Sequence, residues 1–190
     1  MKTEDYQQVE ITSIKELRTW LMKNYTQTES VWLVTYKKSV PDKYVARTDV
    51  IDQLLCFGWV DGILRALDEE KTMHFVSPRQ TQHWTRMYKM RYEKLLKDGQ
   101  VHQSGKAAVA KSIELRLYDF MDDVDDLIIP DDLSSSLLAT NATALFQHLN
   151  DSYKRNLLRY IKLAKTDGTR TKRIEKIVDY TARGERIKNM

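Results

Sequence analysis

The sequence predicts an α+β fold, in which a small antiparallel sheet with flanking helices is followed by a helical C-terminal half. Two observations predict the sheet: residues 30–38 (SVWLVTYKK) are rich in β-branched and aromatic side chains, and residues 58–79 contain two alternating segments joined by a polar turn. One observation predicts the helical half. From residue 82 onward, apolar residues recur three or four positions apart, which is the spacing of an amphipathic helix.

The first elements follow from local signals. Residues 13–25 predict a helix with Ser13 as its N-cap, because Glu16 stands three residues later in the spacing of a capping box. Residues 30–38 carry apolar side chains on both faces and predict a central strand that is covered on both sides. Residues 48–57 predict a short helix that begins at Thr48 as the cap.

The next segment predicts a β-hairpin with its turn at DEEK. If Leu67 pairs with Thr72, then Arg65 lies opposite His74, and one face of the hairpin carries Asp61, Ile63, Arg65, His74 and Val76. The other face carries Gly62, Leu64, Ala66, Met73 and Phe75. Because the second face is the more apolar, we expect it to meet the core.

The remaining segments predict helices. The helix that contains Trp84–Leu95 is expected to end before Gly99, because glycine suits the position just after a helix end. Pro130 suits the first turn of the helix that begins there. Asn141 is expected to cap the helix that follows it. The other segments are helices at 105–116, 151–165 and 170–183 and an acidic loop at 119–132. We therefore expect an α+β region at 1–118 and a helical region at 119–190, packed as one unit.

Composition limits the classes of function. The 190 residues include one cysteine, Cys56, and no stretch of about 18 apolar residues, so neither an internal disulfide nor a membrane span is expected. The N-terminus is polar rather than signal-like, which favours a cytoplasmic location. Residues 151–190 carry twelve Lys/Arg and five Asp/Glu, a net charge of +7, whereas the whole chain carries +4. The first 150 residues therefore carry +4 − 7 = −3.

Several spaced motifs carry a resemblance to a known family. They are CFGWVDG at 56–62, SPR at 77–79 with Trp84 shortly after, PDDL at 130–133, LLRYIKLAK at 157–165 and TRTKRIEKIV at 169–178. In this order they resemble the YdeI/OmpD-associated family over about residues 32–187. The chain departs from the family pattern at Gln82 and Tyr88, where serine and asparagine are usual, and Thr85 replaces a serine.

The resemblance implies a bacterial protein that is connected with bacteriocin protection, with an OmpD-type porin and with stress. It also implies a sheet that is distantly similar to the YjbR and frataxin-like folds. The family is poorly characterised, so the resemblance implies no catalytic residue and no cofactor. Enzymatic activity is accordingly not expected, although the sequence does not decide it.

The hairpin and the segment after it supply the candidate ligand-binding residues. Cations, a carboxylate and aromatic walls in one cleft would suit a small anionic or planar ligand. The alternative is a structural role, in which Asp61 pairs with Arg79 to fix the hairpin and the tryptophans fill the core. The candidate residues are Trp59, Asp61, Arg65, His74, Arg79 and Trp84.

A second functional hypothesis is a nucleic-acid-binding module, whose affinity would fall steeply with salt. Ordinary surface helices also carry Lys and Arg opposite an apolar stripe. The basic C-terminal helices can therefore be explained without nucleic-acid binding. The residues that would carry it are Arg155, Arg159, Lys162, Arg170, Lys172 and Arg173.

Other chemistry is less well supported. An enzyme using Asp61 and His74 would need a further nucleophile or acceptor, and Cys56 would need His74 or His83 as a base. Cys56 lies in the apolar run LLCF, which favours a buried, inert thiol. The four histidines lack the spacing of zinc ligands, and the acidic loop lacks the glycine and glutamate of an EF-hand, so no metal site is predicted.

Overall fold

The computed structural model describes residues 6–187. It divides the chain into two compact units, Met1–Phe120 and Met121–Met190. The boundary lies close to the one expected at 118/119. Whether the two units pack as one stays a prediction.

The first unit contains a four-stranded sheet and four longer helices among its described residues. Strand order is β1-β2-β4-β3, with β1 parallel to β2 and the other neighbours antiparallel. The elements are β1 (Gln8–Glu10), α1 (Ile14–Asn24), β2 (Val31–Tyr36), α2 (Arg47–Phe57), β3 (Trp59–Ala66), β4 (Lys71–Pro78), α3 (Arg86–Lys97) and α4 (Gln103–Glu114), with a 3₁₀ turn at Pro41–Lys43.

The α+β fold class is confirmed, and the sheet is mixed rather than purely antiparallel. The parallel strand is β1, which has only three residues, and Val9 is its single buried side chain. A strand this short shows no alternation that could predict it. Strand β2 is buried at every position, as expected for a central strand covered on both sides.

The predicted register of the hairpin was wrong. Arg65 lies opposite Met73 instead of His74, and Leu64 takes the place opposite His74. The register shifts again between Asp61 and Leu64, at an irregularity of the bulge type. Because each one-residue slip moves a side chain to the other face, the pairing near the turn does not predict the faces farther along.

The predicted core face of the hairpin was wrong as well. His74 is 5% exposed and Val76 is fully buried, whereas Leu64, expected to meet the core, is 43% exposed. Val76 joins the main cluster of the first unit together with Val31 and Leu33 of β2, so the His74–Val76 face is the one that meets the α-helical layer. Phe75 lies on the other face and is partly buried, and the centre of its ring is 5.0 Å from that of Trp32.

Helix ends follow local signals only in part. Ser13 is confirmed as the N-cap of α1, because its side chain accepts a hydrogen bond from the Glu16 backbone N–H. Helix α2 begins earlier than predicted, with Ala46 as an N-cap that provides no side-chain bond, so the assignment of Thr48 was wrong. Gly99 has a φ of +68° just after α3, which confirms the predicted position after the helix end.

Helices are the regular elements of the second unit in its described part. Its elements are α5 (Asp122–Asp125), α6 (Asp131–Ala139), α7 (Thr143–Gln147), α8 (Asp151–Lys162) and α9 (Asp167–Ala182). The acidic segment expected to be a loop thus contains one helical turn. Pro130 is the N-cap of α6 rather than part of its first turn. Asn141 does not cap α7, since Ala142 holds that position and Asn141 has a φ of +56°.

The core of the second unit comes from one apolar stripe on each longer helix. Leu157 and Ile161 of α8 are buried, as are Ile177 and Val178 of α9. Phe146 of α7 is 1% exposed among them. Over residues 6–187, no helix combines the length and the apolar character needed to cross a membrane.

Candidate functional site

Asp61 is a buried carboxylate near the start of β3, with a side chain that is 4% exposed. Its Oδ2 lies 2.7 Å from Nη2 of Arg47, at the beginning of α2. Its Oδ1 accepts a hydrogen bond of 2.5 Å from the hydroxyl of Tyr88, on α3. The carboxylate thus ties the hairpin to two helices of the first unit.

Arg79 follows directly after β4, and its backbone N–H donates to the carbonyl of Gly58 at 2.9 Å. The residue is 8% exposed. Its guanidinium lies over the Trp84 ring, 4.1 Å from the ring centre, and Nη1 donates to the carbonyl of Gln82 at 3.1 Å. Within the described residues its buried Nε has no hydrogen-bond partner.

The expected ion pair between Asp61 and Arg79 does not form. Asp61 takes Arg47 as its cation instead. The side chain of Arg79 packs on Trp84, which directs its guanidinium toward the loop that ends at α3. The sequence offered no signal for this choice, because Arg47 is distant along the chain and reaches Asp61 only through the packing of α2 on the sheet.

The two tryptophans of the candidate set are each 1% exposed. Trp59 makes an edge-to-face contact with Trp20, with ring centres 5.5 Å apart, and Trp84 lies 5.9 Å from Tyr92. Both indole rings therefore contribute to the core. Within residues 6–187, the indole Nε1 atoms of Trp59 and Trp84 are buried without a hydrogen-bond partner.

The other two candidate residues lie apart from this arrangement or at its edge. His74 is buried, and its Nε2 is 3.2 Å from Oγ1 of Thr35. Burial lowers the pKa of His74, and the charge of Arg47 lowers it further, so the ring is neutral at pH 7. Arg65 is exposed, and its guanidinium lies 5.6 Å from the centre of the Trp32 ring, on the face of the sheet opposite His74.

The structure therefore brings together Asp61, Arg79 and Trp84, and it adds Arg47 and Tyr88, which the sequence had not marked as binding residues. A signal for Tyr88 was present, because it is one of the departures from the family pattern. These five residues are called the Arg79 cluster below. Arg65 does not belong to it.

The charges of the Arg79 cluster do not cancel. Burial, together with the bond to Asp61, raises the pKa of Tyr88 to about 12, so its hydroxyl is protonated at neutral pH. Burial lowers the pKa of Arg79 to about 10, which leaves its guanidinium charged. Arg47 and Arg79 against Asp61 give a net charge of +1.

Cys56 lies in the core. It is fully buried, and burial raises the pKa of its thiol. A thiol in this environment is a poor nucleophile. In the part of the chain that the structure describes, no three His, Cys, Asp or Glu side chains come together as a group that could hold a metal ion.

Most of the cations proposed for nucleic-acid binding contact acceptors of the second unit itself. Arg155 donates to the Asp125 carbonyl, and Lys162 pairs with Asp123. Arg170 binds Asp132 through two bonds of 2.6 and 2.8 Å. Arg173 donates to the Tyr160 carbonyl and lies over its ring, while Lys172 is exposed and Arg159 is partly exposed. The arrangement favours a structural role for these cations, and nucleic-acid binding stays a prediction.

Two family models match the chain, one in each structural unit, and the boundary between the units lies between the two matched segments. Residues 9–108 match a domain of unknown function, DUF8412. Residues 126–184 match the family described as bacteriocin-protection, YdeI or OmpD-associated. The second match confirms the predicted resemblance in the C-terminal part. The motifs at 56–84, which also suggested it, lie in the segment that matches DUF8412.

No curated protein and no solved structure matched the chain. The first family match spans 100 of the 190 residues (108 − 9 + 1 = 100), which is more than half of the chain. The chain therefore belongs to the DUF8412 family, and it carries a C-terminal segment of the YdeI/OmpD-associated type.

Proposed function

We propose that this member of the DUF8412 family is a non-catalytic binding protein that takes a small anionic or planar ligand at the Arg79 cluster. The observation that carries the proposal is the buried Nε of Arg79, which has no acceptor within the described residues. The description of the C-terminal family supports a role in bacteriocin protection. A stress-related role and a cytoplasmic location are further parts of the proposal.

A buried arginine without a carboxylate partner is energetically unfavourable. Taking a guanidinium out of water costs several kcal/mol unless another group compensates its charge and its N–H donors. In the Arg79 cluster, the nearest carboxylate is already paired with Arg47 and with the Tyr88 hydroxyl. An anionic ligand would supply the missing charge and the missing acceptor for Nε.

The contact with Trp84 favours a planar ligand group. The ring lies 4.1 Å from the guanidinium carbon and fixes the plane of the N–H donors. A guanidinium held in one plane offers its donors to a carboxylate or phosphate in a defined direction, which a flexible lysine does not. The net charge of +1 at the cluster fits a monoanion.

A binding role suits these residues better than acid–base catalysis. The Asp61 carboxylate already accepts bonds from two donors, and the His74 ring nitrogen Nε2 faces a threonine hydroxyl. A general base needs a free acceptor within hydrogen-bond reach of a substrate proton. Both side chains are held in contacts within the first unit, which fits a binding role better than acid–base catalysis.

The test is thermal unfolding of the full chain against a panel of nucleotides, phosphates, carboxylates and metal ions. We expect one anion class to raise the Tm by several degrees, because a ligand that binds only the native state stabilises it. Arg79→Met should abolish the shift. The matched control is Arg159→Met, which makes the same change in the second unit and should keep the shift.

Arg79→Met could also disturb packing on Trp84, so Arg79→Lys is measured beside it by calorimetric titration at 25 °C. This variant keeps the charge and loses the planar donors, and we expect an affinity at least about tenfold lower. A flat panel with wild-type protein would refute the proposal. So would an unchanged affinity in Arg79→Lys.

A further inference from the structure

The outer face of α1, in the first unit, carries a shallow groove of about 300 Å³ that shares no lining residue with the Arg79 cluster. Its wall contains three cations, an exposed threonine and an exposed methionine, and no carboxylate. These residues recur at helical spacing and form one face of α1, whereas Leu17 and Leu21 of the same helix are buried in the core. The lining residues are Lys15, Arg18, Thr19, Met22 and Lys23.

The two lysines at the ends of the groove carry charges that are not paired within the described residues. Neither Lys15 nor Lys23 makes an ion pair over residues 6–187, and both are exposed. Glu16, the acidic residue of the same helix, accepts hydrogen bonds from the backbone N–H and the hydroxyl of Thr12. Both ammonium groups therefore face solvent and can pair with an incoming carboxylate.

Arg18 contributes its charge to the groove but not its hydrogen-bond donors. Its Nη1 donates to Oε1 of Gln53 at 2.9 Å, and its Nη2 donates to the carbonyl of Gln100 at 3.0 Å. Both acceptors are neutral, and the guanidinium also lies 5.2 Å from the centre of the Phe57 ring. These contacts hold the Arg18 guanidinium in the wall without cancelling its charge.

The groove combines this charge with an apolar contact. Met22 is 46% exposed, and a methionine side chain adapts readily to an apolar partner. Lys15 and Lys23 are eight positions apart, or about 12 Å along the helix axis at about 1.5 Å per residue. In an extended peptide, side chains four residues apart point to the same side at a separation of about 13 Å, with a third side chain midway between them.

We propose that this groove docks an extended acidic segment of a partner protein, with carboxylates four residues apart and an apolar residue midway between them. The carboxylates pair with Lys15 and Lys23, and the apolar side chain packs on Met22. Charge complementarity is the argument for this partner, because the wall carries three positive charges and no negative one. Single-stranded nucleic acid fits less well, since the groove contains no aromatic side chain on which its bases would stack.

The experiment is an NMR titration of the full chain with the capped peptide GESLSEG at low salt, following backbone amide shifts. We expect saturable shifts in α1 with a Kd below about 1 mM. The peptide GQSLSQG, which has glutamine in place of both glutamates, should bind at least about tenfold more weakly because it loses both ion pairs. Raising the salt to about 0.5 M should weaken binding of GESLSEG, since exposed charges are screened.

Variants of exposed residues locate the contact without disturbing the core. Lys15→Gln and Lys23→Gln should each weaken binding by about threefold, and the double variant by about tenfold, because the effects of distant exposed pairs add. Met22→Ser should also weaken binding, since it removes the apolar contact. The matched control is Lys111→Gln, which removes an exposed cation of α4 outside the groove and should leave the Kd unchanged.

The proposal is overturned if GESLSEG gives no saturable shifts up to about 5 mM. It is also overturned if GQSLSQG binds as tightly, or if Lys111→Gln weakens binding as much as Lys15→Gln does. A thymidine oligonucleotide of about eight residues is titrated in parallel. Tighter binding of the oligonucleotide than of GESLSEG, lost in the double lysine variant, would replace the acidic peptide with nucleic acid as the partner.

Discussion

Gly105 shows how a single residue controls the approach of two helices in the first unit. A Cβ atom at this position would lie 2.3 Å from the carbonyl oxygen of Cys56, at the C-terminal end of α2. The same carbonyl accepts a hydrogen bond from the His102 backbone N–H at 2.9 Å. Helix α4 thus approaches the backbone of α2 too closely for any side chain at this glycine.

We expect Gly105→Ala to lower the free energy of unfolding by at least about 3 kcal/mol, because the added methyl group meets backbone that has no free space to move. Urea denaturation followed by tryptophan fluorescence measures the change. The variant also moves α2, on which Arg47 lies, so ligand binding at the Arg79 cluster should weaken with it.

Gly168 provides the matched control. It lies in the first turn of α9, and an added Cβ would have no neighbouring atom within 4 Å. Gly168→Ala should change stability by no more than about 1 kcal/mol, in the stabilising direction, because alanine loses less backbone entropy in a helix. Equal losses for the two substitutions would show that the contact with Cys56 is not what makes Gly105 necessary.

The residues of the Arg79 cluster were partly predictable. Asp61, Arg79 and Trp84 were chosen from their residue types and spacing, and the structure places all three in the same part of the first unit. Arg65 was chosen by a register that proved to be wrong. Arg47 could not be chosen at all, because its contact with Asp61 depends on how α2 packs on the sheet and not on any local pattern.

At the scale of single elements, helix starts depend on the hydrogen bonds that the first turn receives. In α1 the Ser13 side chain accepts from the Glu16 N–H at 3.2 Å, while the Glu16 carboxylate accepts from the backbone N–H of Thr12 at 2.7 Å. In α2 no side chain caps the first turn. Ser13 therefore stabilises the start of α1 through a side-chain hydrogen bond, whereas Thr48 gives no such bond to α2.

We expect Ser13→Ala to destabilise the protein by about 1 kcal/mol, because the substitution removes the capping acceptor of α1. Thr48→Ala should change stability by less than about 0.5 kcal/mol, since Thr48 is exposed and does not cap α2. Both values come from urea denaturation under the same conditions. A larger loss for Thr48→Ala than for Ser13→Ala would contradict this account of the two helix starts.

In the hairpin, the alternation of apolar and polar residues did not predict which face is buried. Gly62, Leu64 and Ala66 look like the apolar face, yet residues 62–66 are exposed in the structure. The irregularity between Asp61 and Leu64 changes which side each residue faces. Since a bulge costs little and can occur at several positions, the alternation alone does not place it.

At the scale of the whole molecule, the tryptophans report on only one of the two units. All four, Trp20, Trp32, Trp59 and Trp84, belong to the first unit, whereas helices occur in both. Tryptophan fluorescence therefore follows residues 1–120, and far-ultraviolet circular dichroism follows the whole chain. The two signals together test the expectation that the chain behaves as one packed unit.

We expect the two unfolding curves in urea to coincide, as they do when a protein unfolds in one cooperative transition. Leu157→Ala, in the core of the second unit, should then shift both curves equally. The comparison variant is Leu33→Ala, in the core of the first. A change in ellipticity without a change in fluorescence would instead show that residues 121–190 unfold separately.

The sequence by itself determined the fold class, most helix positions, the central strand, the buried cysteine and the C-terminal family resemblance. The family resemblance rests on the spaced motifs, and the other features follow from local periodicity and composition, which depend on neighbours along the chain. Only the tertiary structure decided the partner of Asp61, the face of the hairpin that meets the core and the environment of Arg79. The physical reason is that each depends on which distant groups the packing brings within hydrogen-bond distance, and on a bulge that shifts the pairing of β3.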